Sequence, residues 1–342
     1  MQAQPLLTIA IPTYSRASYL KETLDQLRLE ILSHHLDDIE IIVSDNASPD
    51  NTQQVVSDGS RPEFEIRYLK NLNNIGPDAN IAQCFNEAKG HYVLILGDDD
   101  LFYDGSLKWL MTVIRQQEYG VVCMRPYGFD TDFRLEQPGR FGRDIVFDDV
   151  GQFLSTIGPL VTLISACVIN KNCLPKVDAY EFCGRNLVQV HLVIEATLNL
   201  KKSLYSSHYH IACKRNNSGG YDYVQVFVEH LGAILDAYRV RGLSSQSILA
   251  FDKRMLLGHL PLYLLKQRIL NTGDQQTNTT KLKLRYASLW TFWIFLMPIV
   301  SMPRFIAIFW GGASTIIGRI RYGDFVRGFY FLINKIRYFT AA

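Results

Sequence analysis

The sequence has no pair of cysteines in C-x-x-C spacing, and no histidine cluster stands beside its six, at 84, 123, 167, 173, 183 and 213. That excludes the common zinc sites and redox dithiols, and the six are expected as reduced thiols packed in a cytosolic protein. The amino terminus lacks a basic segment followed by a long apolar run, so no secretory leader is expected. Low-complexity tracts and internal repeats are absent too. With 48% hydrophobic and 20% charged residues, a disordered or fibrous chain is excluded. The 342 residues suffice for about two domains and a core that needs no staples.

Acidic residues are scarce at one end. From residue 271 onward nine basic residues face only Asp274 and Asp324, a net of +7 in a chain whose total is +2, leaving −5 elsewhere. A basic end on a mildly acidic body points to an anionic partner for that end. Residues 286–303 carry no charge at all, and three of the four tryptophans fall at 290, 293 and 310.

What is present over the first 125 residues is alternation. Residues 6–11, 39–44, 64–69, 92–96 and 120–124 are short, β-branched and bounded by Pro, Asn, Asp or Gly, which predicts strands. Residues 18–33, 51–57, 78–89 and 106–117 between them read as helices, with Ser18 as N-cap of the first and Gly90 stopping the third. This alternation predicts a mostly parallel sheet flanked by helices, with ligands bound beyond the carboxyl ends of the strands. Farther along, 161–169 and 204–213 read as strands and 187–200, 221–241 and 244–271 as helices, the last bent at Pro261. TGDQQTNTT (272–280) has the composition of a linker.

Polar clusters stand at four strand ends: Pro12-Thr13-Tyr14-Ser15-Arg16, Asp45 to Asp50, Asn71 to Gly76, and Gly97-Asp98-Asp99-Asp100. Three adjacent carboxylates at the mouth of a buried strand repel one another. A hard divalent cation relieves this, and Mg²⁺ commonly takes one or two carboxylates plus substrate phosphates. A solvated acidic turn is the plainer alternative, weakened by three other polar strand ends alongside.

IAIPTYSRASYLKETL, IIVSDNASPDNT and NNIGPDANIAQCFNEAKGHYVLILGDDD resemble, in order and spacing, the nucleotide-sugar-binding half of the family 2 glycosyltransferases, over about residues 5–125. The resemblance implies the GT-A fold, a Rossmann-like α/β architecture. It also implies that Pro12, Thr13, Tyr14, Arg16 and Asp45 hold the nucleotide, with Asn74, Gly76 and Asn80 lining the same pocket. Asp99 would be the ligand of Mn²⁺ or Mg²⁺, with Asp98 near the ribose and Asp100 a further ligand. Within the family the pattern is most similar to O-antigen transferases of the abequosyltransferase type, through ILGDDDLFYDGSL, GRNLVQVHLV and CKRNNSGGYDYVQVF. That implies a CDP-linked 3,6-dideoxyhexose donor and a lipid-diphosphate-linked oligosaccharide acceptor.

The chain departs from the family where many inverting members carry a Glu-Asp pair at a helix start. The corresponding Cys183-Gly184-Arg185-Asn186-Leu187 has no carboxylate. The base then comes from elsewhere (Glu181, Asp130, Asp132 or Glu195), or the alignment shifts, or the enzyme retains configuration and needs none. His191 and Glu195, spaced i, i+4, form a candidate acid/base pair on the acceptor side, or a packed histidine with its neighbour. Arg215, within CKRNNSGGY, is a candidate diphosphate clamp, since guanidinium pairs bidentately with phosphate.

The organisation expected is a transferase domain at 1–220, with a nucleotide-sugar half at 1–125 and an acceptor half at 126–220. A helical region at 221–342 would follow, whose segment 281–342 is amphipathic and membrane-associating. Residues 289–310 and 325–339 read as interfacial helices, with Arg319, Arg321, Arg327, Lys335 and Arg337 toward anionic lipid. Pro298, Pro303 and Arg304 oppose a spanning helix, and an oligomeric or core interface is the alternative. The protein would then sit peripherally on the cytoplasmic face of the inner membrane. Nucleic-acid binding is not expected, because no fold for it is recognised. Two rivals stay open. A sugar nucleotidyltransferase would need a Gly-rich basic phosphate loop, of which PTYSRAS is a poor version. A non-catalytic membrane scaffold would be favoured by the missing Glu-Asp pair and opposed by the intact DDD.

Overall fold

A computed structural model describes residues 4–139, 142–215, 222–270 and 274–322. The chain forms two compact units: Met1–Phe153 with Leu160–Ser218, and Leu154–Pro159 with Gly219–Ala342.

The first unit is built on β1 (Leu7–Thr13), α1 (Ala17–Ser33), β2 (Ile39–Asp45), α2 (Thr52–Gly59), β3 (Ile66–Lys70), α3 (Pro77–Glu87) and β4 (Tyr92–Ile95). It continues through β5 (Asp100–Phe102), α4 (Ser106–Gln116), β6 (Val121–Phe129), β7 (Asp144–Phe147), α5 (Val150–Ile157, whose residues from Leu154 belong to the second unit), β8 (Cys167–Asn170), α6 (Val188–Asn199) and β9 (Ser203–Lys214). Among the described residues the sheet has nine strands in the order β3-β2-β1-β4-β8-β6-β9-β5, with β7 on β9. The β3-β2-β1-β4 half is wholly parallel, so β1, β2 and β4 end at one edge. Beyond β4 the sheet is mixed, with β8 antiparallel to β4 and β6, and β9 parallel to β6.

Both faces are covered, which is why the strands read as unbroken apolar runs. Leu7, Ile9, Ile11, Ile41, Val43 and Leu94 pack in one core with Leu20, Leu24 and Leu27 of α1 and Leu107, Leu110 and Met111 of α4. On the opposite face α3 and α6 contact each other and the sheet. Helix α3 ends at Glu87, so Gly90 does not stop it. Its role is close approach: a Cβ there would lie 2.5 Å from the Thr8 backbone nitrogen.

Several local expectations are corrected. Ser18 is not the cap of α1: the helix starts at Ala17, whose N–H donates to Asp50 Oδ2 at 3.0 Å. Residues 161–169 are strand only from Cys167, since Gly158–Thr162 and Ile164–Ala166 form 3₁₀ turns. The short strands β5 and β7 carry no alternation long enough to read and exist by pairing with β9.

His210 of β9 is buried and shared by two hydroxyls. Its Nε2 lies 2.8 Å from Ser206 Oγ and its Nδ1 3.1 Å from Ser106 Oγ, with the ring stacked on Trp109 at 3.9 Å. Burial pushes its pKa from 6.5 down to about 4. The unfolded chain therefore takes up this proton at a higher pH than the folded one. The stability this group confers is whole above pH 6.5 and is lost as pH falls toward 4. Relative to His210→Gln, wild type should lose about 3 kcal/mol across that window in urea titrations. Parallel pH profiles for the two proteins would refute this.

The second unit is helical. After a π-helical turn at Gln225–His230 come α7 (Leu231–Ala237), α8 (Ser245–Gly258), α9 (Leu260–Leu270), α10 (Gln275–Tyr286), α11 (Trp290–Phe295), α12 (Met297–Ser301) and α13 (Arg304–Arg321). The bend expected at Pro261 falls at His259, between α8 and α9. The linker expected at 272–280 is helix from Gln275, capped by Asp274, which accepts from the Gln276 N–H at 2.9 Å. Residues 289–310 are three helices, not one, and 325–339 lie outside the described residues.

No helix among the described residues is long and apolar enough to cross a membrane. Helix α13 is amphipathic in an unusual sense. Its buried stripe is small (Ala307, Gly311, Ser314, Gly318), while Phe305, Phe309, Ile316 and Ile320 on the opposite flank are exposed. Trp290 and Trp293 of α11 are exposed as well. Lys281 and Arg285 are committed inside the unit, to Asp222 and Glu229 and to Asp236 and Asp252. Lys283, Arg304 and Arg321 are exposed.

Candidate active site

The common edge where β1, β2 and β4 end gathers most of the residues singled out in the sequence. At the end of β4, Asp98 is buried and accepts from Thr13 Oγ1 at 2.7 Å, tying β4 to β1. Arg16 spans the first two aspartates, with Nε 3.3 Å from Asp98 Oδ1 and a terminal nitrogen 2.7 Å from Asp99 Oδ2. Burial drives the Asp98 pKa up to about 6 against the pull of Arg16 and Thr13.

Asp100 turns the other way. As the first residue of β5 it is buried, accepts from Ser165 Oγ, and titrates at about 7, raised by burial and then by Asp99. Helix α1 holds this whole segment from beneath. Thr23 donates to the Asp98 carbonyl at 2.9 Å, Gln26 to the Phe102 carbonyl at 2.7 Å, and Glu30 accepts from the Gly105 N–H at 2.9 Å. Asp99 is the most open carboxylate of the three, and it pairs with Arg16. No group of three or more His, Cys, Asp or Glu side chains able to hold a metal occurs among the described residues. Carboxylate oxygens are the donors a hard cation takes, and Asp99 would hold one only together with oxygens from a ligand.

The second cluster forms a frame. Asp45 is fully buried, with Oδ1 taking the Ser48 N–H at 2.8 Å and Oδ2 the Tyr68 hydroxyl. Its carboxylate therefore shapes the pocket through the Ala47–Ser48 turn, and both oxygens are already engaged. The phenol of Tyr68 is pushed well above its ordinary pKa by burial and by Asp45. Asn80 exchanges bonds with Ser44, donating to its carbonyl at 3.0 Å and accepting from its hydroxyl at 2.6 Å. Asn74 and Gly76 are both held by the Asn46 amide, at 2.9 and 3.2 Å. Asn46, not singled out in the sequence, also accepts from the Ile75 N–H at 2.8 Å. Pro12 and Thr13 are the last two residues of β1, and Tyr14 is exposed. Ser15 and Ala47 both adopt left-handed backbone, with φ of 54° and 64°. Such strain at non-glycine residues collects in loops that the surroundings hold for a purpose.

The remaining candidates lie in other settings. Arg215, just past β9, is paired at 2.8 Å with both Asp130 and Glu136. Of the carboxylates considered as base, Asp130 is thus engaged, and Asp132 closes its own turn by accepting from Arg134 and Leu135 N–H groups at 2.8 and 3.0 Å. His191 on α6 stacks on Phe182 with ring centroids 4.5 Å apart, and Glu195 one turn on is buried.

A carboxylate does stand at the head of α6, supplied by another helix. Asp78 Oδ2, in the first turn of α3, accepts from three successive backbone N–H groups, Gly184, Arg185 and Asn186, at 2.7, 3.0 and 2.8 Å. Gly184 and Asn186 have positive φ, of 106° and 57°, which turns the amides toward one point. No local signal in the sequence pairs Asp78 with this turn.

Residues 8–171 match the family model described as glycosyl transferase family 2. A stretch of 121 residues is 36% identical to the abequosyltransferase RfbV of Salmonella typhimurium, covering 35% of this chain and 36% of that protein. Another of 108 residues is 33% identical to the GalNAc(5)-diNAcBac-PP-undecaprenol β-1,3-glucosyltransferase of Campylobacter jejuni, covering 31% and 34%. The chain thus spans about a third of the length of these curated relatives. Among solved structures, S. aureus TarS 1–349 in complex with UDP-GlcNAc aligns with a TM-score of 0.60 at 15% identity, over 93% of this chain and 92% of that one. The mannosyltransferase PcManGT of Pyrobaculum calidifontis, with GDP-Man and Mn²⁺, aligns with a TM-score of 0.51 at 14% identity, over 96% and 86%. These two likenesses are of fold.

Proposed function

Residues 8–171 are a glycosyl transferase family 2 domain, and from that premise we propose that the protein transfers a sugar from a nucleoside-diphosphate donor to a lipid-linked saccharide. The observation that carries this reading is the Thr13–Asp98–Arg16–Asp99 cluster, set at the shared ends of β1 and β4 beside the Asn46–Asn74–Asn80 frame. Open parallel sheets bind nucleotides at this edge. In this reading the frame holds the base and ribose, Asp99 holds Mn²⁺ or Mg²⁺ with the diphosphate, and Arg16 lies against the phosphates. The cation would supply Lewis-acid stabilisation of the departing nucleoside diphosphate. Asp98 and Thr13 keep the two strand ends at fixed separation, so the diphosphate meets a preformed site.

Two finer assignments rest on the relatives. The likeness to a protein named abequosyltransferase supports a CDP-linked 3,6-dideoxyhexose as donor. The polyprenyl-diphosphate saccharide in the name of the Campylobacter relative supports a lipid-linked acceptor. Such an acceptor fits peripheral attachment at the cytoplasmic face of the membrane, through the exposed aromatic flank of α11 and α13 with Arg321 nearby in sequence. The transferase domain is assigned to 1–220 and the attaching region to 281–342.

Calorimetry with CDP, UDP, GDP and dTDP, each with and without Mn²⁺, tests the donor. CDP should bind at least about tenfold tighter than the others, and only with the cation. Preference for UDP would replace the donor base and keep the transferase reading. Absence of binding by all four would overturn it.

A further inference from the structure

Asp99 already faces one cation. Its Oδ2 is taken at 2.7 Å by Arg16, a guanidinium anchored by Asp98 at 3.3 Å and lying over the Tyr19 ring at 5.1 Å. Arg16 is about 30% exposed and Asp99 15%, so both border the open side of the site, whereas Asp98 is enclosed at 5%.

We infer that Arg16 is an internal counter-ion that keeps divalent metal off Asp99 until a diphosphate arrives, so that metal and nucleotide bind as one unit. This rests on the donor-site reading above and adds to it an order of binding and a residue that enforces it. The chemistry is an exchange of partners. With no donor present, the guanidinium satisfies the Asp99 carboxylate, and a dication approaching that oxygen meets a fixed positive charge. A diphosphate offers oxygens that a guanidinium pairs with at least as well as with a carboxylate. Once Arg16 turns to those oxygens, still hinged on Asp98, its positive charge no longer sits on Asp99 Oδ2 and the cation can approach that carboxylate. The gain is that neither half of the complex is held alone.

Coupling of this kind is reciprocal: the factor by which diphosphate raises metal affinity equals the factor by which metal raises diphosphate affinity. Arg16 should set the size of that factor.

Calorimetric titration of the full chain with MnCl₂ alone, with CDP or UDP alone, and with both gives the factor directly. Wild type should bind Mn²⁺ alone weakly, with strong coupling to nucleotide. Arg16→Gln should bind Mn²⁺ alone about tenfold tighter or more, with the coupling reduced by a similar factor. Arg16→Lys keeps the charge and loses the fork, so its affinity for Mn²⁺ alone should stay near wild type. Adding Asp99→Asn to Arg16→Gln should abolish the gain, placing the new metal affinity at that carboxylate. Unchanged or weaker Mn²⁺ affinity in Arg16→Gln, with nucleotide still bound in the presence of metal, overturns this inference and leaves the donor site standing. An Arg16→Lys protein that behaves as Arg16→Gln also overturns it, because charge would then not be the cause. Absence of nucleotide binding by wild type under all conditions removes the donor-site reading, and this inference with it.

Discussion

Asp99→Asn should lower sugar transfer by about three orders of magnitude and leave the fold intact. The scale follows from losing one preorganised charge at the departing group, about 3–4 kcal/mol of transition-state stabilisation. The fold should survive because its neighbours carry the architecture. Asp98 bonds Thr13 and Arg16, Asp100 bonds Ser165, and the Asp98 carbonyl takes the Thr23 hydroxyl. Asp99 contributes its contact with Arg16 at the border of the site. The check is paired: thermal unfolding of both proteins, and diphosphate affinity with and without Mn²⁺. A variant with the same metal dependence as wild type would show that the cation is held elsewhere. Asp100→Leu should behave in the opposite way, losing stability through its buried bond to Ser165.

The second large effect is expected at the membrane. Replacing both Phe305 and Phe309 with glutamate should weaken binding to anionic phospholipid vesicles at least about a hundredfold, taking about 1.5–3 kcal/mol for each phenyl group removed from an apolar phase. Both side chains are about three-quarters exposed (74% and 75%), so the helix loses little internal packing by the change. Deleting 281–342 would be a poorer test, because Leu282, Tyr286, Phe292, Leu296 and Ile299 belong to the buried core of their unit. Vesicle sedimentation reads the result, with uncharged vesicles reporting the share due to basic residues. If the variant sediments like wild type, the flank does not meet lipid. If wild type is instead a dimer that the variant converts to monomer, with no vesicle binding by either, the flank is a subunit interface.

The parts of the fold legible in the sequence are those whose cause is local. Residues 39–45 and 92–95 announce themselves as strands because each is a short β-branched run, buried on both faces, that ends in a turn. The DDD motif was legible for the same reason, as charge placed where an apolar strand stops. What was hidden depends on distant partners. The cap of α1 comes from Asp50, 33 residues away, so Ser18 gave a false local signal. Residues 272–280 look like a linker because they are polar, yet from Gln275 they belong to a helix whose Leu282 and Tyr286 are buried. Arg16 was legible as a pocket residue, but its grip on Asp99, 83 positions on, was not. Asn46 and Asp78 gave no signal that sequence spacing could supply, since Asn46 meets Asn74, Ile75 and Gly76 about 30 positions on and Asp78 meets amides more than 100 positions on, partners brought together only by the fold.

The contact made by Asp78 bears on how such chains can be recombined. It joins the part of the unit that holds the donor cluster to the start of α6 through backbone amides alone. A joint that reads backbone shape is indifferent to the side chains at 184–186, provided the turn is kept. Hybrid proteins that exchange the segment after Asp78 between relatives should therefore stay joined there, while a crossover that loses the aspartate would take from three successive amides the acceptor they share. Modularity of this kind lets one half of an enzyme drift toward new substrates while the other stays as it was.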